Sequence, residues 1–134
     1  NYIPTEKQNE WMKRWKQYPE SFHIHCPDGA VSKDGPSAGA AMGLTFYSRL
    51  MDKKVKHKIA MTGEMNLRGK VTKIGSLEEK LTGAKRAGAT LVLIPKENEE
   101  DLIMIKKRNN NLLNDEFKVV PINHFSQVLK YSLI

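Results

Sequence analysis

The run Thr90-Leu91-Val92-Leu93-Ile94, closed by Pro95, constrains the fold more than any other stretch of the chain. A short unbroken apolar run reads as a strand buried on both faces, and the proline ends it. Such a strand needs cover on both sides, and the rest of the chain has to supply it. The 134 residues are one domain's worth and can enclose a core.

The flanking patterns read as alternating helices and strands. Residues 5–18 predict a helix, with Thr5 as N-cap, Gln8 completing a capping box, and Trp11, Trp15 and Tyr18 on one face. That stripe is expected in the core or at a subunit contact. Residues 21–26 predict a strand with Phe22, Ile24 and Cys26 opposite His23 and His25, followed by the turn Pro27-Asp28-Gly29. Pro36 suits a helix start, and residues 37–51 predict a central, small-sided helix. Strands are expected at 55–62 and 70–74 around a turn bracketed by Gly63 and Gly69. Ser76 and Glu79 predict a capping box for a helix over 77–87, ended by Gly88. A helix over 97–107, a loop over 108–115, a strand over 117–122 and a helix over 123–131 complete the chain. The order predicts an α+β fold, a mixed β-sheet packed with helices.

Composition narrows the function classes. No stretch approaches the ~20 apolar residues of a membrane-spanning helix, and residues 1–4 begin no apolar leader segment. Asn1 stands where a Met is expected, as in a piece of a longer chain. One cysteine, Cys26, precludes an internal disulfide and suits a reducing compartment. The formal charge of +7 could attract nucleic acid. Apart from Lys53, Lys54, Lys56 and Lys58, however, the basic residues are scattered, and no aromatics interleave with them as in a base-stacking platform. A solvated basic surface is the simpler expectation.

The sharpest chemical feature is Lys33-Asp34-Gly35-Pro36-Ser37-Ala38-Gly39. It sets a serine at a helix start, where unpaired N–H groups and partial positive charge can hold an oxyanion. Pattern alone also allows Ser37 to be a simple cap. A nucleophile needs a base. His23 and His25 share a strand face, a poor arrangement for a relay and a weak metal pair. Lys80 is the other candidate, because Leu77, Leu81 and Ala84 flank it and desolvation favours a neutral amine. On pattern alone, a solvated surface charge is the simpler expectation for it. Thr62 ends a strand where its hydroxyl could orient an amine or simply close a turn.

Three ordered stretches together resemble the proteolytic domain of the Lon family of ATP-dependent serine proteases: HIHCPDGAVSKDGPSAG (23–39), AMTGEMNLRGKVTKIGSLEEK (60–80) and AGATLVLIPKENEEDL (87–102). The resemblance implies a Ser37–Lys80 dyad, with Ser37 as nucleophile and Lys80 as general base, and backbone N–H groups at Ser37 as the oxyanion hole. It implies supporting positions at Thr62, Asp34, Glu64, His25 and Arg68. It implies a Lon-type proteolytic domain over 1–134, without the family's first strands and without its AAA+ ATPase region. It further implies protein substrates, a hexameric ring, no metal for peptide cleavage, and ATP with Mg²⁺ used only by the absent ATPase part. The implied compartment is the mitochondrial matrix or another organelle if the source is eukaryotic, and the cytoplasm if bacterial. Ser32, Asn66 and Ser76-Leu77-Glu78 depart from the usual pattern, none at the dyad. Weak DNA binding is a further implied partner, and a non-catalytic Lon-like module for assembly or nucleic-acid binding is the alternative.

Overall fold

The computed structural model describes residues 2–19, 21–25 and 35–134. Its elements are α1 (Thr5–Gln17), α2 (Gly39–Met51), β1 (Ile59–Met61), β2 (Glu64–Met65), β3 (Val71–Thr72), α3 (Leu77–Arg86), β4 (Leu91–Pro95), a 3₁₀ turn (Lys96–Asn98), α4 (Glu99–Arg108), β5 (Lys118–Ile122) and α5 (Phe125–Ser132). The fold is α+β. Parallel and antiparallel pairing both occur, but in separate sheets: β1-β4-β5 is parallel throughout, and β2-β3 is a hairpin.

The apolar run became β4, the centre of the parallel sheet. Its side chains alternate between two cores. Val92 and Ile94 join Leu77, Leu81, Leu102 and Phe117 on one side, while Leu93 joins Ala40, Leu44, Phe125 and Val128 on the other. Leu93 and Ile94 are fully buried, each contributing about 1.5–3 kcal/mol through removal from water. Helices α3 and α4 therefore cover one face, and α2 and α5 the other.

Several local expectations are corrected. Helix α1 forms, but its N-cap is Pro4, without a side-chain cap bond, and Gln8 instead donates to the Ile3 carbonyl at 2.7 Å. The apolar stripe of α1 is not in the core of this chain. None of its residues is buried, and Trp15 is 58% exposed. Of the stripe Trp11, Trp15 and Tyr18, only Trp11 is partly covered, its indole donating to the Leu50 carbonyl at 3.2 Å. Residues 21–25 form no strand. Alternation gives a segment two faces, but a strand also needs a partner's hydrogen bonds, and no described residue supplies them here. Cys26 and the turn over 27–29 lie outside the described residues. The strand expected over 55–62 shrinks to β1, with Val55 making one bridge to Leu133.

The capping box at Ser76 is absent. Ser76 sits in the left-handed region (φ 54°) with no side-chain cap bond. The capping box instead belongs to α5: the His124 ring accepts from the helix backbone, and Gln127 Oε1 accepts from the His124 N–H at 3.2 Å. The expectation for the 63–69 turn holds. Asn66 Oδ1 accepts from the N–H groups of Arg68 and Lys70, and Gly69 takes φ 81° at the tip of the β2-β3 hairpin.

Candidate active site

Ser37 lies just before α2, in a turn rather than in the helix proper, with Ala38 as N-cap. Its carbonyl is held from one direction by the Gly63 N–H at 2.8 Å and the Thr62 hydroxyl at 3.4 Å. Ala40 N–H returns to the Gly63 carbonyl at 3.1 Å. The Thr62 N–H is in turn bonded to the Leu93 carbonyl at 3.1 Å, so the serine turn is fastened to the central strand. Small residues make this possible. A Cβ at Gly39 would stand 3.0 Å from the Met65 backbone nitrogen. Among the described residues, the N–H groups of Ser37 and Ala38 have no acceptor. They sit at the positive end of α2, suited to a developing negative charge.

Lys80 lies in the first turn of α3, half-buried, its N–H bonded to the Ser76 carbonyl at 3.2 Å. Ser37 and Lys80 line the same two depressions. One, of about 320 Å³, is walled by Ala38, Ala41, Ala60, Met61, Thr62 and Ala84. The other, of about 450 Å³, is bordered by Gly35, Pro36, Glu64, Lys73 and Ser76. Among the described residues, neither the Ser37 hydroxyl nor the Lys80 side-chain nitrogen has a hydrogen-bond or ion-pair partner.

The remaining sequence candidates divide. Thr62 is buried (8% exposed) beside the smaller depression, its hydroxyl directed to the Ser37 carbonyl. Glu64 is exposed on β2 and borders the larger one. Arg68 stands exposed at the hairpin tip and His25 is exposed near His23, with ring centroids 6.4 Å apart; neither lines the two depressions. Asp34 lies outside the described residues. Sequence reasoning missed Gly63, whose backbone holds the serine turn, and the 73–76 segment that borders the site. The Gly75-Ser76 pair directly before α3 was the available signal for the latter.

No group of three or more His, Cys, Asp or Glu side chains that could hold a metal occurs among the described residues. No described helix is long and apolar enough to cross a membrane.

The two depressions with a serine at a helix start and a lysine beside it fit a serine protease domain, and the comparisons agree. The profile of the Lon protease C-terminal proteolytic domain matches residues 2–134. The chain belongs to that family. It is 47% identical over 119 residues to Lon protease of Trichlorobacter lovleyi, covering 89% of this chain and 14% of that protein. It is 47% identical over 114 residues to Lon protease of Vibrio parahaemolyticus, covering 85% and 14%. A Lon protease homolog of Acanthamoeba polyphaga mimivirus is 43% identical over 113 residues, covering 84% and 11%. The chain thus spans 11% to 14% of the length of these relatives.

Proposed function

We propose that Ser37 and Lys80 form the catalytic dyad of this proteolytic domain. The observation that carries this reading is their shared lining of both depressions at the start of α2. Lys80, as the neutral amine, takes the proton of the Ser37 hydroxyl while Oγ attacks the scissile carbonyl carbon. The carbonyl electron pair moves to oxygen, and the N–H groups of Ser37 and Ala38 receive that oxyanion. On collapse the C–N bond breaks, and Lys80 returns its proton to the leaving amine. Water, deprotonated by Lys80, then attacks the ester carbonyl carbon; the C–Oγ bond breaks, and Lys80 returns that proton to Oγ, which restores Ser37. Thr62 supports the site from beneath, through the Ser37 carbonyl and by a role in orienting Lys80. Glu64 borders the path by which a polypeptide enters. Asp34, His25 and Arg68 are peripheral in this reading.

The whole protein, by the same reading, degrades protein substrates as a hexameric ring. An AAA+ region elsewhere in the parent chain uses ATP and Mg²⁺ to feed the site. The aligned part is only 14% of the length of two of these relatives, which leaves room for further regions in such proteins. Its compartment is the cytoplasm in a bacterial setting and an organelle in a eukaryotic one.

The test is hydrolysis of an unstructured fluorogenic peptide by the full-length protein beside Ser37→Ala and Lys80→Ala. Each variant is expected to lose at least about 10⁴-fold in kcat with assembly intact. Wild-type rates in both variants would refute the dyad. A wild type that assembles, fails to cleave and binds DNA with a steep salt dependence would favour the non-catalytic reading.

A further inference from the structure

We propose that Asn98, with Glu97 beside it, is a positioning residue for Lys80; this rests on the dyad reading above. Asn98 is fully buried, although its neighbours in the turn, Lys96 and Glu97, are exposed. A buried amide is tolerated only with its hydrogen bonds met. Asn98 meets them on one target. Its Oδ1 accepts from the Ile74 N–H at 3.1 Å, and its Nδ2 donates to the Ile74 carbonyl at 2.9 Å. A third bond, from Nδ2 to Asp101 Oδ2 at 2.7 Å, fixes which end of the amide faces which partner. The side chain thus does for Ile74 what a neighbouring strand would do, since β3 has already ended at Thr72. Glu97 extends the pairing by one residue, its Oε2 accepting from the Lys73 N–H at 2.9 Å.

The consequence lies two residues further on. The held segment leads directly into Ser76, whose carbonyl receives the Lys80 N–H. Asn98 itself follows β4 by three residues. The Lys80 helix is therefore referenced to the end of the same strand that, through Leu93, Thr62 and Gly63, references the Ser37 turn. The two arms leave one strand and meet at the site. A clamp at the root of one arm sets where the amine stands relative to the hydroxyl. Nothing about Asn98 touches a substrate or the reacting atoms, so its role is positional.

The experiment uses the full-length protein and a fluorogenic peptide, with rates normalised to serine sites titrated by a fluorophosphonate. It compares wild type, Asn98→Ala, Glu97→Ala, Ser37→Ala and Lys80→Ala. Asn98→Ala is expected to lose about 10- to 100-fold in kcat per titrated site, with KM within about twofold. The acid limb of its kcat–pH curve, which follows proton loss from the base, is expected to move. A defect of folding alone would lower the number of titrated sites and leave that limb in place. Glu97 is exposed, so its variant keeps the fold if Asn98→Ala does not, and it is expected to show the same pattern at about 3-fold. Wild-type kcat and an unmoved limb in a folded variant, with Ser37→Ala and Lys80→Ala inactive, would overturn the positional role and leave the dyad standing. Activity persisting in Ser37→Ala and Lys80→Ala would overturn the dyad itself.

Discussion

A methyl group on Gly63 would stand 2.5 Å from Val71 Cγ1, with Ala40 and Pro95 close behind. Val71 is buried (1% exposed) and branched at Cβ, so it has little room to turn away. Gly63→Ala is therefore expected to destabilise the domain by about 1–3 kcal/mol through overpacking, read as a lower urea midpoint. It should also reduce peptide hydrolysis, because the Gly63 N–H holds the Ser37 carbonyl. Unchanged stability would mean that the approach of these two elements is looser than described. Residues of this kind explain what could be read early. Ser37 and Lys80 stood out by resemblance, although pattern left each open to a plain structural role. Gly63 and Asn98 did not stand out. A glycine in a turn motif looks like turn chemistry, and an asparagine among Lys and Glu looks solvated. Only the tertiary fold shows that one is crowded and the other buried.

Elements differ in how much of their stability is local. Strand β4 was legible because both its faces are covered, which removes the need for alternation. Helix α3 was legible from its apolar spacing, but not its entry, since Ser76 turns through a positive φ instead of capping. Helix α1 shows the opposite case. Its periodicity predicted a covered face, and the helix forms, yet that face lies open over an apolar hollow of about 530 Å³ shared with Phe22 and Leu50. Period alone says which residues share a side, not what lies against it. Trp15→Ala is accordingly expected to change the unfolding free energy of this chain by less than about 0.5 kcal/mol. Leu93→Ala, emptying space in β4, is expected to cost about 2–5 kcal/mol. Equal losses in denaturant titrations of the two variants would show that α1 packs as core.

At the scale of the molecule, acidification adds charge to a chain already at +7. Glu97 is one place where that matters. The Lys70 side chain bonded to it, and next the Lys73 N–H, hold its carboxyl below the ordinary carboxylate range. A lowered folded value means that the ionised group favours the fold above its unfolded value, and that this contribution fades as pH falls through the lowered one. Glu97 is exposed, so the contribution is also screened by salt. The melting temperatures of wild type and Glu97→Gln should therefore differ most near neutrality at low salt and converge on the acid side of the carboxylate range. A gap that widens on acidification would reverse the sign of the argument. The position of β4 has one further consequence. Leu93 and Asn98 come after both Ser37 and Lys80 in the chain, so a ribosome extrudes the proposed nucleophile and base before it extrudes the strand that spaces them. The two side chains therefore emerge as loose parts, and the geometry proposed for the dyad forms only once the strand that fastens both arms has followed them.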